Sequence, residues 1–147
     1  IVTSRHQWKL DRAIELGANY AVLDEGEDWS RVVRGLAGKR GVDVCVDSVG
    51  GPLHLQCIKT LSRGGTLVTC GCTAGAAPTT DLARIFWNQL SILGSTMGNM
   101  HEFREVVALF KNGMEPVVDS IHDASDASAA FARLESGEQF GKIIIRW

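Results

Sequence analysis

The sequence has no excess of either charge: 15 lysines and arginines stand against 17 aspartates and glutamates in 147 residues, a formal net charge of -2 at pH 7. Without a basic cluster there is little electrostatic footprint for a nucleic acid. No apolar run is long enough to cross a bilayer, and no basic, then apolar, then small-residue leader opens the chain. Neither nucleic acid nor membrane is therefore an expected partner, and a cytoplasmic location is expected. The four cysteines form no C-x-x-C pair and the four histidines no spaced pair, which excludes zinc-ribbon and zinc-finger patterns; no metal ligands are expected. A Ser-His-Asp or Cys-His arrangement is also missing, since His6, His54, His101 and His122 have no evident partner and read as surface or capping residues, leaving the catalytic residues unknown. Methionine is absent from the first position. The chain opens on Ile1-Val2, and the expectation is that its beginning lies upstream.

What is present is a regular alternation. With 45% hydrophobic residues and a length close to the common domain size, the chain can bury a real core. Short β-branched or apolar runs at Ile1 to Ser4, Tyr20 to Leu23, Val42 to Val46, Thr66 to Cys70, Leu90 to Gly94, Pro116 to Ile121 and Lys142 to Trp147 read as strands. Between them, segments of helical period run over Gln7 to Leu16, Trp29 to Ala37, Leu53 to Leu61, Asp81 to Leu90, Glu102 to Lys111 and Ser125 to Glu135. Asp28 and Asp81 are read as helix caps, Gly17 and Gly38 as helix stops, and Gly64-Gly65 as the break before a strand. Such alternation predicts βαβ units and a mainly parallel sheet, an α/β fold.

In that architecture ligands bind beyond the carboxyl ends of the strands. The residues there are Thr3-Ser4-Arg5, Asp47 to Gly51, Cys70-Gly71-Cys72 and Gly94-Ser95-Thr96, small or glycine at every exit, where a flat ligand needs close backbone approach. Glycines that merely end strands remain the alternative. At the first exit, Ser4-Arg5 with Lys9 one helical turn on suits a phosphate dianion, because arginine offers a fork of donors and lysine a point charge. A solvated basic first turn remains open there. Cys70 and Cys72 would point to one face if both lay on a strand; small buried thiols are the plainer reading for all four cysteines. The glycine-rich turn G-x-G-x-x-G occurs nowhere in the chain.

The runs TSRHQWKLDRAIELGANYAVLDEGEDW, RGVDVCVDSVGG, LSRGGTLVTCG and LSILGSTMGN, with Glu102-Phe103, the PVVD at Pro116 and the closing FGKIII, are collinear over nearly the whole chain. Together they resemble the medium-chain dehydrogenase/reductases, the superfamily of zinc-type alcohol dehydrogenases and quinone oxidoreductases. The resemblance implies a Rossmann-like doubly wound parallel sheet lacking its first strand and glycine-rich turn, over residues 1–112, with 113–147 belonging to an otherwise missing catalytic domain. It implies hydride transfer between a nicotinamide and a carbonyl, alcohol or activated alkene of a small-molecule substrate. The implied cofactor is NADP, with NAD possible; zinc stays undecided because any ligands lie upstream. Ser4, Arg5 and Lys9 match the 2′-phosphate end, and Val49, Gly50, Gly71, Cys72, Ser95 and Thr96 the strand ends along the adenosine and nicotinamide halves. Lys142 matches a basic position at the pyrophosphate, and the strand at 90–94 a homodimer edge. The resemblance also implies a gap in the sheet, with unpaired edges. A non-catalytic nucleotide-binding or assembly module is the alternative. Asp24 stands where many NADP-using relatives carry a tyrosine, and its charge would repel a 2′-phosphate.

Overall fold

A computed structural model describes residues 1–26 and 28–147. The chain divides into two compact units, Ile1–Met97 and Gly98–Trp147. The first runs β1 (Val2–Ser4), α1 (Gln7–Glu15), β2 (Ala21–Leu23), α2 (Trp29–Leu36), β3 (Val42–Asp47), α3 (Leu53–Thr60), β4 (Leu61–Thr69), α4 (Leu82–Asn88) and β5 (Ser91–Gly94). In the second, α5 (Met100–Lys111) and β6 (Val118–Asp123) lead through a 3-10 turn at Ala124–Asp126 to α6 (Ala127–Ser136) and β7 (Lys142–Arg146). Every strand pair is parallel, as the alternation predicts. The division falls before α5, whereas the turn at Gly113 follows that helix, with φ +96°.

In the first unit β1 pairs with β2, and β3, β4 and β5 form a second sheet in that order. Among the described residues no strand pairs with the remaining edges of β1 and β3, so the expected gap is present. Trp29 and Val33 recur four residues apart on α2 and meet Cys57 and Ile58 of α3 with Val22, Leu61 and Leu67 in one buried cluster. Ile58 and Leu67 are completely buried, each side chain contributing about 1.5–3 kcal/mol from burial. A single helical face therefore suffices to seat each helix.

Several local expectations are corrected. Gly64-Gly65 does not precede the strand; it lies inside β4, which starts directly after α3. Val42 pairs with Leu61 and Val44 with Thr66, so only Asp43 on β3 stands opposite Ser62 to Gly65, and Gly64 takes φ +75° in the resulting bulge. Glycine permits a bulge where a break was expected. Asp28 stands at the N-cap position of α2 as expected, but its side chain makes no capping hydrogen bond: its carboxylate accepts from the Ser30 hydroxyl and pairs with Arg31 at 3.4 Å and Lys59 at 3.6 Å. The Ser30 hydrogen bond, helped by Lys59 and Arg31, holds Asp28 below the usual carboxylate range. Asp81 does cap α4, accepting from the Arg84 amide at 2.9 Å. α5 begins at Met100 rather than Glu102 because Asn99 and Glu102 close a reciprocal capping box.

Candidate functional site

The geometry of the candidate site begins with register. Asp47 of β3, Thr69 of β4 and Gly94 of β5 are direct partners, a row across the carboxyl edge of the three-stranded sheet. Val49 and Gly50, Gly71 and Cys72, and Ser95 and Thr96 therefore leave the sheet side by side. Asp47 organises the first exit: its Oδ1 accepts from the Val49 amide at 2.8 Å and the Gly50 amide at 3.0 Å, while its carbonyl accepts from the Cys70 amide at 2.9 Å. The first two exits are then laced together, Ala74 N donating to Val49 O at 2.8 Å and Gly51 N to Gly75 O at 2.9 Å. Ser95 N donates to Thr69 O at 2.9 Å, which fixes the third.

The glycines at these exits have a reason other than the expected approach of a ligand. A Cβ on Gly50 would stand 2.9 Å from Gly75 O, and one on Gly71 would stand 2.7 Å from Ser48 O. The protein's own backbone fills both spaces. Gly94 differs, with nothing within 4 Å of such an atom. Ser95 and Thr96 at the third exit are exposed, as is Ser48 at the first.

At the other sheet, Ser4 ends β1 and its hydroxyl accepts from the His6 amide at 3.2 Å. Arg5 is exposed, with no hydrogen-bond or ion-pair partner among the described residues. Lys9 Nζ lies 5.3 Å from the centre of the Trp8 ring, a cation–π arrangement. Asp24 lies beside this end of the sheet, its amide donating to Ser4 O at 2.8 Å. Lys142 belongs to the second unit, exposed at the start of β7.

Between the free edges of β1 and β3 runs a groove of about 470 Å³, lined by Val2 and Thr3 on one side and by Val44, Val46 and Asp47 on the other. Asp47 is buried, and its Oδ2 has no hydrogen-bond partner. Asp47 opens the exit Asp47 to Gly51 without being among the expected site residues, although an aspartate three residues before glycine at a strand end is the available signal for a side chain capping its own turn. Two further readings change. Cys70 and Cys72 are exposed, because Cys70 already lies past the last residue of β4. His54 is buried and has a partner, its Nε2 lying 3.2 Å from Thr80 Oγ1. His122 likewise stands 3.1 Å from Ser120 Oγ and 3.6 Å from Asp126, and His101 stands 3.4 Å from Glu105.

The family description "Zinc-binding dehydrogenase" matches residues 1–112. The chain belongs to this family. It is 30% identical over its full length to an L-threonine 3-dehydrogenase of Chromobacterium violaceum, of which it covers 44%. It is also 30% identical, over 93% of its residues, to an NAD-dependent alcohol dehydrogenase of Sulfolobus acidocaldarius, covering 40% of that protein. Among solved structures, the alcohol dehydrogenase of Aeropyrum pernix superposes with a TM-score of 0.84 at 31% identity, over 98% of this chain and 42% of that one. The chain thus spans less than half the length of the relatives it matches.

The family's description names zinc, which takes four thiolate, imidazole or carboxylate ligands, or three and a water. Among the described residues no three His, Cys, Asp or Glu side chains stand together in this way, so these residues do not compose a zinc site. A nicotinamide dinucleotide fits better. The unpartnered Arg5 at a strand exit suits an anionic group, Asp24 beside Ser4 suits a ribose hydroxyl, and the aligned exits offer an edge along which an extended ligand can lie. No helix among the described residues is long and apolar enough to cross a membrane.

Proposed function

We propose that this zinc-binding dehydrogenase chain is the larger part of the nucleotide-binding domain of an NAD(P)(H)-dependent oxidoreductase of alcohol dehydrogenase or quinone/enone reductase type. The observation that supports this reading is the row Asp47, Thr69 and Gly94, which sets three strand exits side by side. When bound, the dinucleotide supplies the hydride exchanged with a carbonyl, alcohol or activated alkene. The residues of this chain bind and orient it. Arg5 and Lys9, with Ser4 beside them, hold a 2′-phosphate. Val49, Gly50, Gly71 and Cys72 follow the adenosine and nicotinamide halves, Ser95 and Thr96 present hydroxyls to the ligand, and Lys142 serves the pyrophosphate. Arg5 and Lys9 make NADP the first reading; Asp24 works against a 2′-phosphate and favours a free ribose hydroxyl, which makes NAD the second.

Residues 113–147 belong, in this reading, to the catalytic domain. A homodimer forms through β5, whose four residues are all exposed and which pairs only with β4 among the described residues. The same free edges at β1, β3 and β5 favour a second reading, a non-catalytic nucleotide-binding or assembly module, because unpaired strands seek partners.

Calorimetric titration with NADPH and NADH tests both readings. Saturable NADPH binding, weakened about tenfold or more by Arg5→Ala and strengthened by Asp24→Asn, is expected; a tenfold change corresponds to about 1.4 kcal/mol, within the range of a charge-assisted contact. No saturable binding of either nucleotide refutes the cofactor site and leaves the assembly reading. Sedimentation that finds only monomer at high concentration refutes the dimer.

A further inference from the structure

Alternate residues of β6 share a face, which puts Ser120 and His122 on one side of the strand, with Ile143 and Ile145 of β7 as their register partners. His122 Nε2 lies 3.1 Å from Ser120 Oγ, and the other ring nitrogen, Nδ1, lies 3.6 Å from the carboxylate of Asp126 in the 3-10 turn that follows. A hydroxyl, an imidazole and a carboxylate thus stand in the order that activates a serine, all within residues 120–126. We propose that Ser120 is an acyl-accepting nucleophile for small activated esters, with His122 as its general base and Asp126 as the positioning residue that orients the imidazole.

The neighbouring charges support this division of roles. Arg146 donates to Asp123 Oδ1 through Nη2 at 2.7 Å and Nε at 3.0 Å, so the carboxylate beside His122 is that of Asp126 and not of its sequence neighbour. With a carboxylate on the Nδ1 side, the ring keeps its proton there and Nε2 accepts from the Ser120 hydroxyl. Asp119 is the other carboxylate close to Ser120. Arg133 and the Phe140 amide, helped by Ser120, hold it well below the usual carboxylate range, which makes it a poor acceptor for the serine proton. The Asp126 separation is long for a hydrogen bond, and its side chain is 63% exposed, so it contributes less than a buried carboxylate would. Ser120 is half-buried and the His122 side chain is 17% exposed, which limits the acyl group to a small one.

Ser120 Oγ attacks the carbonyl carbon of the ester while its proton passes to His122 Nε2. The ester C–O bond then breaks, the leaving alkoxide or phenolate takes the proton from His122, and Ser120 carries the acyl group. Water attacks that group by the same route, giving its proton to His122, which returns it to Ser120 Oγ as the carboxylic acid departs. No oxidant or reductant takes part. A positioned base supplies on the order of 10²–10⁴-fold, enough for an ester with a good leaving group and too little for an amide.

The test treats the chain with diisopropyl fluorophosphate and, separately, with p-nitrophenyl acetate under acid quench, and maps the modified serine by digestion and mass spectrometry. A diisopropylphosphoryl group on Ser120 from the first reagent and an acetyl group on Ser120 from the second are expected. His122→Gln lowers both rates about a hundredfold. Asp126→Asn lowers them by a smaller factor, which Asp126→Glu restores, and Ser120→Ala takes neither group at that position. Should a variant fail to fold, the mapped label on the unsubstituted chain decides without it. The proposal is overturned if either group is missing from Ser120, if the labels are spread evenly over other serines, or if folded His122→Gln or Asp126→Asn reacts at the parent rate.

Discussion

Replacing Asp47 tests whether the strand-exit row is built by that carboxylate. Asp47→Ala strips the acceptor from two backbone amides, Val49 N at 2.8 Å and Gly50 N at 3.0 Å. Gly50 is buried, so its amide keeps no route to water, while half-buried Val49 recovers part of its loss. An unsatisfied buried donor costs roughly 1–3 kcal/mol, and the two together amount to about 3 kcal/mol. Against this, removing the carboxylate relieves a buried oxygen, Oδ2, that has no partner, which returns about 1 kcal/mol. The expected net loss is about 2 kcal/mol, and about 1 kcal/mol or less for Asp47→Asn, which keeps an acceptor at Oδ1 and gives up the charge. In urea, with a slope of about 2 kcal/mol per molar, the alanine midpoint falls by about 1 M at unchanged slope. An alanine midpoint equal to that of the parent chain refutes the capping role. An asparagine variant as damaged as the alanine shifts the weight to the charge at Oδ2 and to whatever donor the groove receives there.

Gly41 takes φ +100°, and a Cβ there would stand 2.5 Å from Thr60 O and 2.8 Å from Arg34 Nη1. Gly41→Ala should cost more than about 2 kcal/mol, whereas Gly35→Ala, open on α2, should gain about 0.5–1 kcal/mol; equal melting temperatures for the two variants would sink the argument. In the second unit, Arg133 donates to Asp119 through Nε at 2.6 Å and Nη2 at 2.8 Å, and Phe140 N adds a bond of 2.9 Å. These bonds hold the Asp119 carboxyl well below the usual carboxylate range. A depressed folded-state value means that the contribution is complete above the unfolded value near pH 4 and is lost as pH falls below it. Asp119→Asn should therefore flatten the acid limb of the second unit's stability below pH 4, followed by circular dichroism across an acid titration; an unchanged limb refutes the assignment.

The elements were legible where burial has a period. V-D-V-C-V could only be a strand, and Trp29 with Val33 shows the face that α2 buries. Legibility failed where a residue's role is set by partners distant in sequence. Gly64-Gly65 reads as a break because glycine ends elements, yet the register of Val42 and Val44 against Leu61 and Thr66 draws it into a bulge. Asp28 has the residue type of a cap, but Ser30 and Lys59 claim its oxygens. Cys70 and Cys72 follow the average burial of cysteine only if β4 reaches them, and β4 stops at Thr69. His54 has no sequence neighbour to suggest Thr80. The gap between β1 and β3 came from the family resemblance and not from periodicity, since nothing local in Val2 to Ser4 or Val42 to Asp47 tells how many partners a strand has.

For the candidate site the consequence concerns which residues carry recognition. Small residues at four exits look like one feature in sequence, but they divide by what occupies the missing Cβ. At Gly50 and Gly71 the neighbouring turn's own backbone stands there, so these glycines hold the exits together whether or not a ligand is present. Substituting them breaks the scaffold and says little about binding. In the proposed reading, recognition rests on the exposed Arg5 guanidinium and the exposed Ser95 and Thr96 hydroxyls, with the half-buried Asp24, whose amide donates to Ser4 O and whose carboxylate accepts from the Gly26 amide at 3.1 Å. Arg5 and Asp24 have opposite charge at one end of one small sheet. In the proposed reading their balance, which two single substitutions shift in opposite directions, sets the preference between a 2′-phosphate and a free hydroxyl.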